Sequence, residues 1–178
     1  MQLADLLDRS EALEQRTAAL YRRFAARQLD DAELAALWTT LATEEEEHVR
    51  SIRDARNHLT PGELEHSAVA GCEGALADIE ERLLHAEALD PDATPDRRFT
   101  AALAIELSEL ESLRQLALHG SGIPGTPPTD RSHVHRLADT VMQRSCDGHA
   151  RLAAALLLAR ERLAADAAAR HEGARWVG

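Results

Sequence analysis

Between Leu34 and Ala55 the apolar residues Leu34, Leu37, Trp38, Leu41, Ile52 and Ala55 return at steps of three and four, and Glu45 and His48 carry the series across its middle without a break in phase. That spacing is the period of one face of an α-helix. A chain with this stripe must pack through a face that holds two ionisable groups, and burying them costs free energy unless something pairs with them. The acidic run Glu44–Glu47 therefore divides. Glu46 and Glu47 leave the stripe and are expected in solvent, Glu44 lies on its flank, and Glu45-x-x-His48 faces inward.

The same period recurs along the chain and predicts helices over about 3–28, 31–58, 96–119 and 131–171. Asp30 or Asp31 serves as the cap of the second. The short connection between the first two makes them antiparallel neighbours. "TPGE" at 60–63 stops one helix and offers a new start, with Thr60 as cap and Pro61 in the first turn. A crossover over 59–95 is expected to contain an extra helix, about Cys72 to Leu89, ended by "DPDATPD". "GSGIPGTPPTD" at 120–130 is a loop of Gly and Pro. Two helical hairpins joined by one long crossover make an all-α four-helix bundle, read as a single domain over 1–178.

Composition narrows the class. The chain has 178 residues, enough for a sizeable core, and is rich in Ala, Leu, Glu and Arg with few aromatics. Its net charge of -11 argues against a nucleic-acid partner and leaves no basic patch for a membrane. No apolar run approaches the roughly 20 residues of a membrane span. "MQLADLLDRSEALEQ" is charged almost from its start, unlike a signal peptide. Cys72 and Cys146 form no CxxC pair, which fits free thiols in a reducing compartment. A cytoplasmic protein is the expectation. All 20 basic residues are Arg, the mark of a GC-rich coding bias and not of a site.

Polar intrusions mark the other helices too. The first seam reads Leu7, Glu14, Thr17/Ala18, Tyr21, Phe24/Ala25, and the third Phe99, Leu103, Glu106, Leu110, Leu113. The fourth passes Ala138, Val141/Met142, Ser145/Cys146, His149 and Leu152. A weak internal repeat relates the hairpins: "EQRTAALYRRFA" (14–25) aligns with "ELSELESLRQLA" (106–117), and "LATEEEEHVR" (41–50) with "MQRSCDGHAR" (142–151). Glu14 then falls over Glu106, His48 over His149, and Glu45 over Cys146. Carboxylates gathered in a core call for protons, partners or a cation. Cys146 has two readings: a small apolar residue marking a decayed site, or a thiolate ligand favouring a softer iron, zinc or copper site.

With Glu14, Tyr21 and Phe24 on the first helix, Glu45-x-x-His48 on the second, Glu106 on the third and His149 on the fourth, the chain resembles the ferritin-like superfamily, most closely its rubrerythrin-type branch. The resemblance covers the bundle helices, not residues 61–94 or the tail. It implies a carboxylate-bridged di-iron or related site built from one Glu on each of two helices and Glu-x-x-His on each of the others. Glu14 and Glu106 would be terminal ligands, Glu45 a bridge, and His48 and His149 the imidazole ligands. Glu109, one turn from Glu106, would be an alternating carboxylate. The sequence departs from the pattern in two places. Cys146 stands where a second bridging Glu is expected, and Asp147 is about 100° away around the helix. The two CxxC pairs of an attached rubredoxin domain are absent from the sequence.

The resemblance implies a metal-binding oxidoreductase that holds one or two irons, or zinc or another divalent ion. It would oxidise Fe(II) with O2, as a ferroxidase, or reduce peroxide, as a peroxidase, with electrons from an external donor. A homo-oligomer, a dimer through helix faces, fits the same architecture. The competing expectation is a non-catalytic bundle whose degenerate or structural metal site serves partner binding or assembly.

Overall fold

A computed structural model describes residues 1–28, 30–68, 72–106, 108, 132–155 and 158. Among these residues the regular elements are helices, and the only strand-like pairing is an isolated bridge between Gln2 and Ser67. The helices are α1 (Leu3–Ala26), α2 (Ala32–Asn57), the short α3 (Pro61–Leu64), α4 (Cys72–Glu87), α5 (Pro95–Glu106) and α6 (Ser132–Arg144). None is long and apolar enough to cross a membrane.

Local chemistry sets these boundaries. Asp31 caps α2 by accepting from the Leu34 N–H at 3.0 Å, which satisfies one of the donors a helix start leaves open. Thr60 and Glu63 form a reciprocal capping box around Pro61. The Arg97 N–H donates to Thr94 Oγ1 at 3.4 Å, opening α5 behind Pro95. The expected helix over 96–119 is described as far as Glu106, and the remainder of that range, except Ser108, lies outside the described residues.

One expectation fails. The helix read over 131–171 is not continuous: α6 ends at Arg144, residues 145–147 are non-helical, and helix resumes over 148–155. Ser145 and Asp147 supply the reason. Ser145 Oγ accepts from the Asp147 N–H at 3.1 Å, and Asp147 Oδ1 accepts from the His149 N–H at 2.8 Å. Short polar side chains of this kind compete with the helical ladder for backbone donors and start a new helix behind them.

The α1–α2 pair is antiparallel. Its cross-helix ion pairs run in opposite senses along the chain, Arg22 with Glu46, Arg53 with Glu11 and Arg56 with Asp8. Helix α4 packs on α1 and α5, and α6 on α5 and α2. The crossover helix is thus part of the core, with Leu76, Ile79 and Leu83 fully buried, each worth about 1.5–3 kcal/mol relative to exposure. Arg16 clamps α4 to α1 through two bonds to Glu87, at 3.0 and 2.8 Å.

At the centre is an aromatic cluster. Trp38 lies 5.8 Å from Tyr21, 5.2 Å from Phe24 and 5.6 Å from Phe99, ring centre to ring centre. Arg98 is buried at its edge, 5.9 Å over the Phe24 ring, and donates to Gln28 Oε1 at 2.8 Å and the Pro91 carbonyl at 3.1 Å. This cluster ties α5 to the α1–α2 hairpin and forms the floor beside which the acidic residues sit.

Candidate metal centre

Helix α1 contributes Glu14 and helix α2 contributes Glu45 and His48. The three-residue spacing of the last two places them on one face of α2, toward Glu14. Glu14 is 1% exposed, Glu45 2% and His48 9%. Each offers one ligand atom, and these atoms lie within 4.8 Å of one another. The rest of the acidic run divides by helix phase. Glu47 is exposed, Glu46 is half-exposed on Arg22, and Glu44 is partly buried against Arg136 of α6.

His48 Nδ1 is 3.0 Å from Glu45 Oε2 and 3.4 Å from Glu14 Oε2. A single Nδ1 hydrogen can be aimed at one of them, and the shorter contact takes it. Glu14 Oε2 is left buried with no hydrogen-bond donor, a costly condition for a carboxylate oxygen. The electrostatics follow from the crowding. Burial, then repulsion from Glu14, raises the Glu45 carboxyl to about 7, against the pull of His48. Burial alone would lower His48, but its contacts with Glu14 and Glu45 prevail and raise it to about 11. The cluster in this form is held by protons, which is how buried carboxylates lower their own cost.

Glu106 is not among the mutually close ligand atoms. Its Oε1 accepts from the Tyr21 hydroxyl at 2.8 Å. Tyr21 is completely buried. Burial, followed by the charges of Glu106 and Glu45, raises its hydroxyl well above the usual tyrosine range, so it stays a donor. Glu106 is thereby anchored beside the cluster, not in it. Glu109 lies outside the described residues.

The second half of the expected ligand set is corrected. His149 is 98% exposed and 3.6 Å from Asp147 Oδ1, and Cys146 is an exposed free thiol. The non-helical 145–147 segment removes the helical phase that would have turned both inward, so neither reaches the buried cluster. Ser10 was passed over by the sequence seam, which jumps from Leu7 to Glu14, yet it is buried at 2% on the same face of α1. Its signal was its position four residues before Glu14, on the same face of α1.

Two hard carboxylate oxygens and one borderline imidazole nitrogen suit Fe(II), Mn(II) or Zn(II). The donor-less Glu14 oxygen is a coordination position ready for such an ion, so the residues fit one metal. No family model, curated protein or solved structure matches the chain.

Proposed function

We propose that this protein is a ferritin-like helical bundle whose Glu14, Glu45 and His48 hold one non-haem iron, and that it is an oxidoreductase acting on O2 with Fe(II), or on peroxide. The observation that supports this reading is the convergence of three buried potential ligands, one of whose oxygens has no donor. When bound, the ion supplies a Lewis-acidic, redox-active centre inside a packed core. Glu14 and Glu45 offset its charge, and His48 gives up the Nδ1 proton to become a neutral ligand. Tyr21 holds Glu106 in place next to them through the 2.8 Å bond. The surrounding apolar side chains keep bulk water away, which strengthens each electrostatic contact.

The second reading is a structural metal site without turnover. The exposure of Cys146 and His149 favours it, because half of the ligands of a dinuclear centre are then missing from the cluster. Anaerobic loading with Fe(II), followed by metal analysis and oxygen or peroxide consumption, separates the cases. About one tightly held iron per chain with consumption of oxidant supports the oxidoreductase. One ion without consumption supports the structural role. A protein that retains no divalent ion after desalting defeats both.

A further inference from the structure

Among the described residues two large apolar side chains are exposed, Leu84 at 53% and Leu152 at 59%. Leu84 stands on the outer ridge of α4 in an acidic frame: Glu80 and Glu81 precede it by one turn, and Glu87 follows it by one. Glu80 and Glu87 are bound to α1 through Arg16, at 3.5 and 2.8 Å. Glu81 is exposed and makes no hydrogen bond or ion pair among the described residues. The ridge thus offers solvent an apolar knob with an unengaged carboxylate beside it.

The other flank of α1 carries a groove of matching character. Ala18, Ala19 and Val49 floor it between α1 and α2, and Arg22, Arg50 and Arg53 stand around a hollow of about 640 Å³. Three guanidiniums face the single lining carboxylate of Glu46, on a chain whose net charge is -11. Arg22 and Arg53 are tied to Glu46 and Glu11. Arg50 is the least engaged: its pair with Glu47 is 3.5 Å long, and both side chains are 63% exposed. A groove between two helices is where the side-chain ridge of a third packs, and small residues on its floor leave room for a large one.

Knob and groove lie on either side of α1, which packs against both α2 and α4, and they lie at one height along it. Helix α4 runs parallel to α1: Arg9 pairs with Glu80, and Arg23 donates to the carbonyls of Ala86 and Glu87. Leu84 falls between these contacts, level with Arg16, and the groove extends over residues 15–22 of α1. A rotation of 180° about an axis parallel to α1 preserves height and exchanges the two sides. The edge of α1 that would meet its copy at that axis presents the exposed Ala12 and Ala19, which allow close approach. We propose that this face is a twofold interface between two copies of the chain. Each Leu84 seats in the α1–α2 groove of the other copy, and each Glu81 pairs with Arg50 of the partner subunit. A twofold interface must be self-complementary, and an acid-framed knob beside an arginine-rimmed groove meets that condition. None of these residues belongs to the Glu14, Glu45 and His48 cluster, so the interface is independent of the metal site.

Sedimentation equilibrium of the full chain tests it. The wild type is a dimer that weakens as salt is raised, because its rim is charged. Arg50→Glu and Glu81→Arg each set like charges against one another and raise the dissociation constant about tenfold or more. Arg50→Glu combined with Glu81→Arg restores the dimer, which damage to the fold of either single variant would not do. Leu84→Ser, which empties the groove, weakens association in the same assay. A wild type that is monomeric at every concentration gives the groove to some other occupant and overturns the proposal. A dimer indifferent to both charge reversals, or a double variant no better than the single ones, overturns it as well.

Discussion

Residues 41–50 of α2 and residues 142–151 align weakly in sequence, yet they carry their polar seam residues to opposite fates. In α2, Glu45 and His48 sit in the interior of one unbroken helix, Ala32–Asn57, and both are buried. In the aligned segment, Cys146 and His149 fall at and just beyond a helix break, and both are exposed. The difference between the two histidines is not the histidine or its spacing. It is whether residues just upstream of it let the helix run: "TEEEE" offers good helix formers, whereas "SCDG" offers Ser and Asp that cap, and Gly that weakens a helix interior.

The largest effect should come from breaking this asymmetry at its root. His48→Ala is expected to abolish stoichiometric binding of Fe(II) or Co(II), while His149→Ala leaves it unchanged, as measured by metal analysis after gel filtration. Equal losses in both variants would restore the symmetric site. Next, the hairpin core should dominate stability. Trp38→Ala is expected to cost about 3–5 kcal/mol and Leu137→Ala on α6 about 2–5 kcal/mol in urea unfolding.

The buried cluster should then be visible in the metal-free protein through its pH dependence. The folded-state value of Glu45 is raised above its ordinary 4.5 to about 7, so the folded form binds the extra proton, and stability declines as pH climbs through that window. The value for His48 is raised from 6.5 to about 11. Its stabilisation is full below the lower value and is lost as pH rises through the higher. Both groups act in the same direction, so the metal-free protein should be more stable at about pH 5.5 than at about pH 8.5, and Glu45→Gln with His48→Gln should flatten the difference in urea melts.

A smaller effect is expected at the α1–α4 clamp. Glu87 is held below its ordinary value chiefly by hydrogen bonds from Arg16. Its contribution is present above the unfolded-state value and lost as pH falls through the folded one. The pair is about a third exposed, so Glu87→Gln should cost no more than about 1 kcal/mol at neutral pH. Least of all should come from Cys146→Glu. A sequence alignment makes it the missing bridge, but an exposed carboxylate beyond the end of α6 should leave metal occupancy unchanged.

The helices over Leu3–Ala26 and Ala32–Asn57 were legible because long apolar stripes and an Asp cap reinforce each other. Glu14, Glu45 and His48 were legible for the same reason, since a continuous helix converts spacing directly into direction. His149 was not, because helical phase holds only while the helix does, and the hydrogen bonds from the Asp147 and His149 amides that end it are local events no periodicity records. Ser10 was hidden differently: a small hydroxyl on an apolar stripe is indistinguishable in sequence from one that bonds its own backbone, and only the unmet Oγ separates them.

Trp38 gives the molecule an optical consequence. Its indole is fully enclosed by Tyr21, Phe24 and Phe99 and its N–H meets no acceptor, so its fluorescence should be emitted at the blue end of the tryptophan range. Tyr21, in contact with Trp38, is hydrogen-bonded to the carboxylate that flanks the cluster. A paramagnetic ion arriving there would darken that emission, while a closed-shell ion such as zinc would not. With Trp176 replaced by Phe, light from one side chain would count the ions entering the core, in real time and without a label.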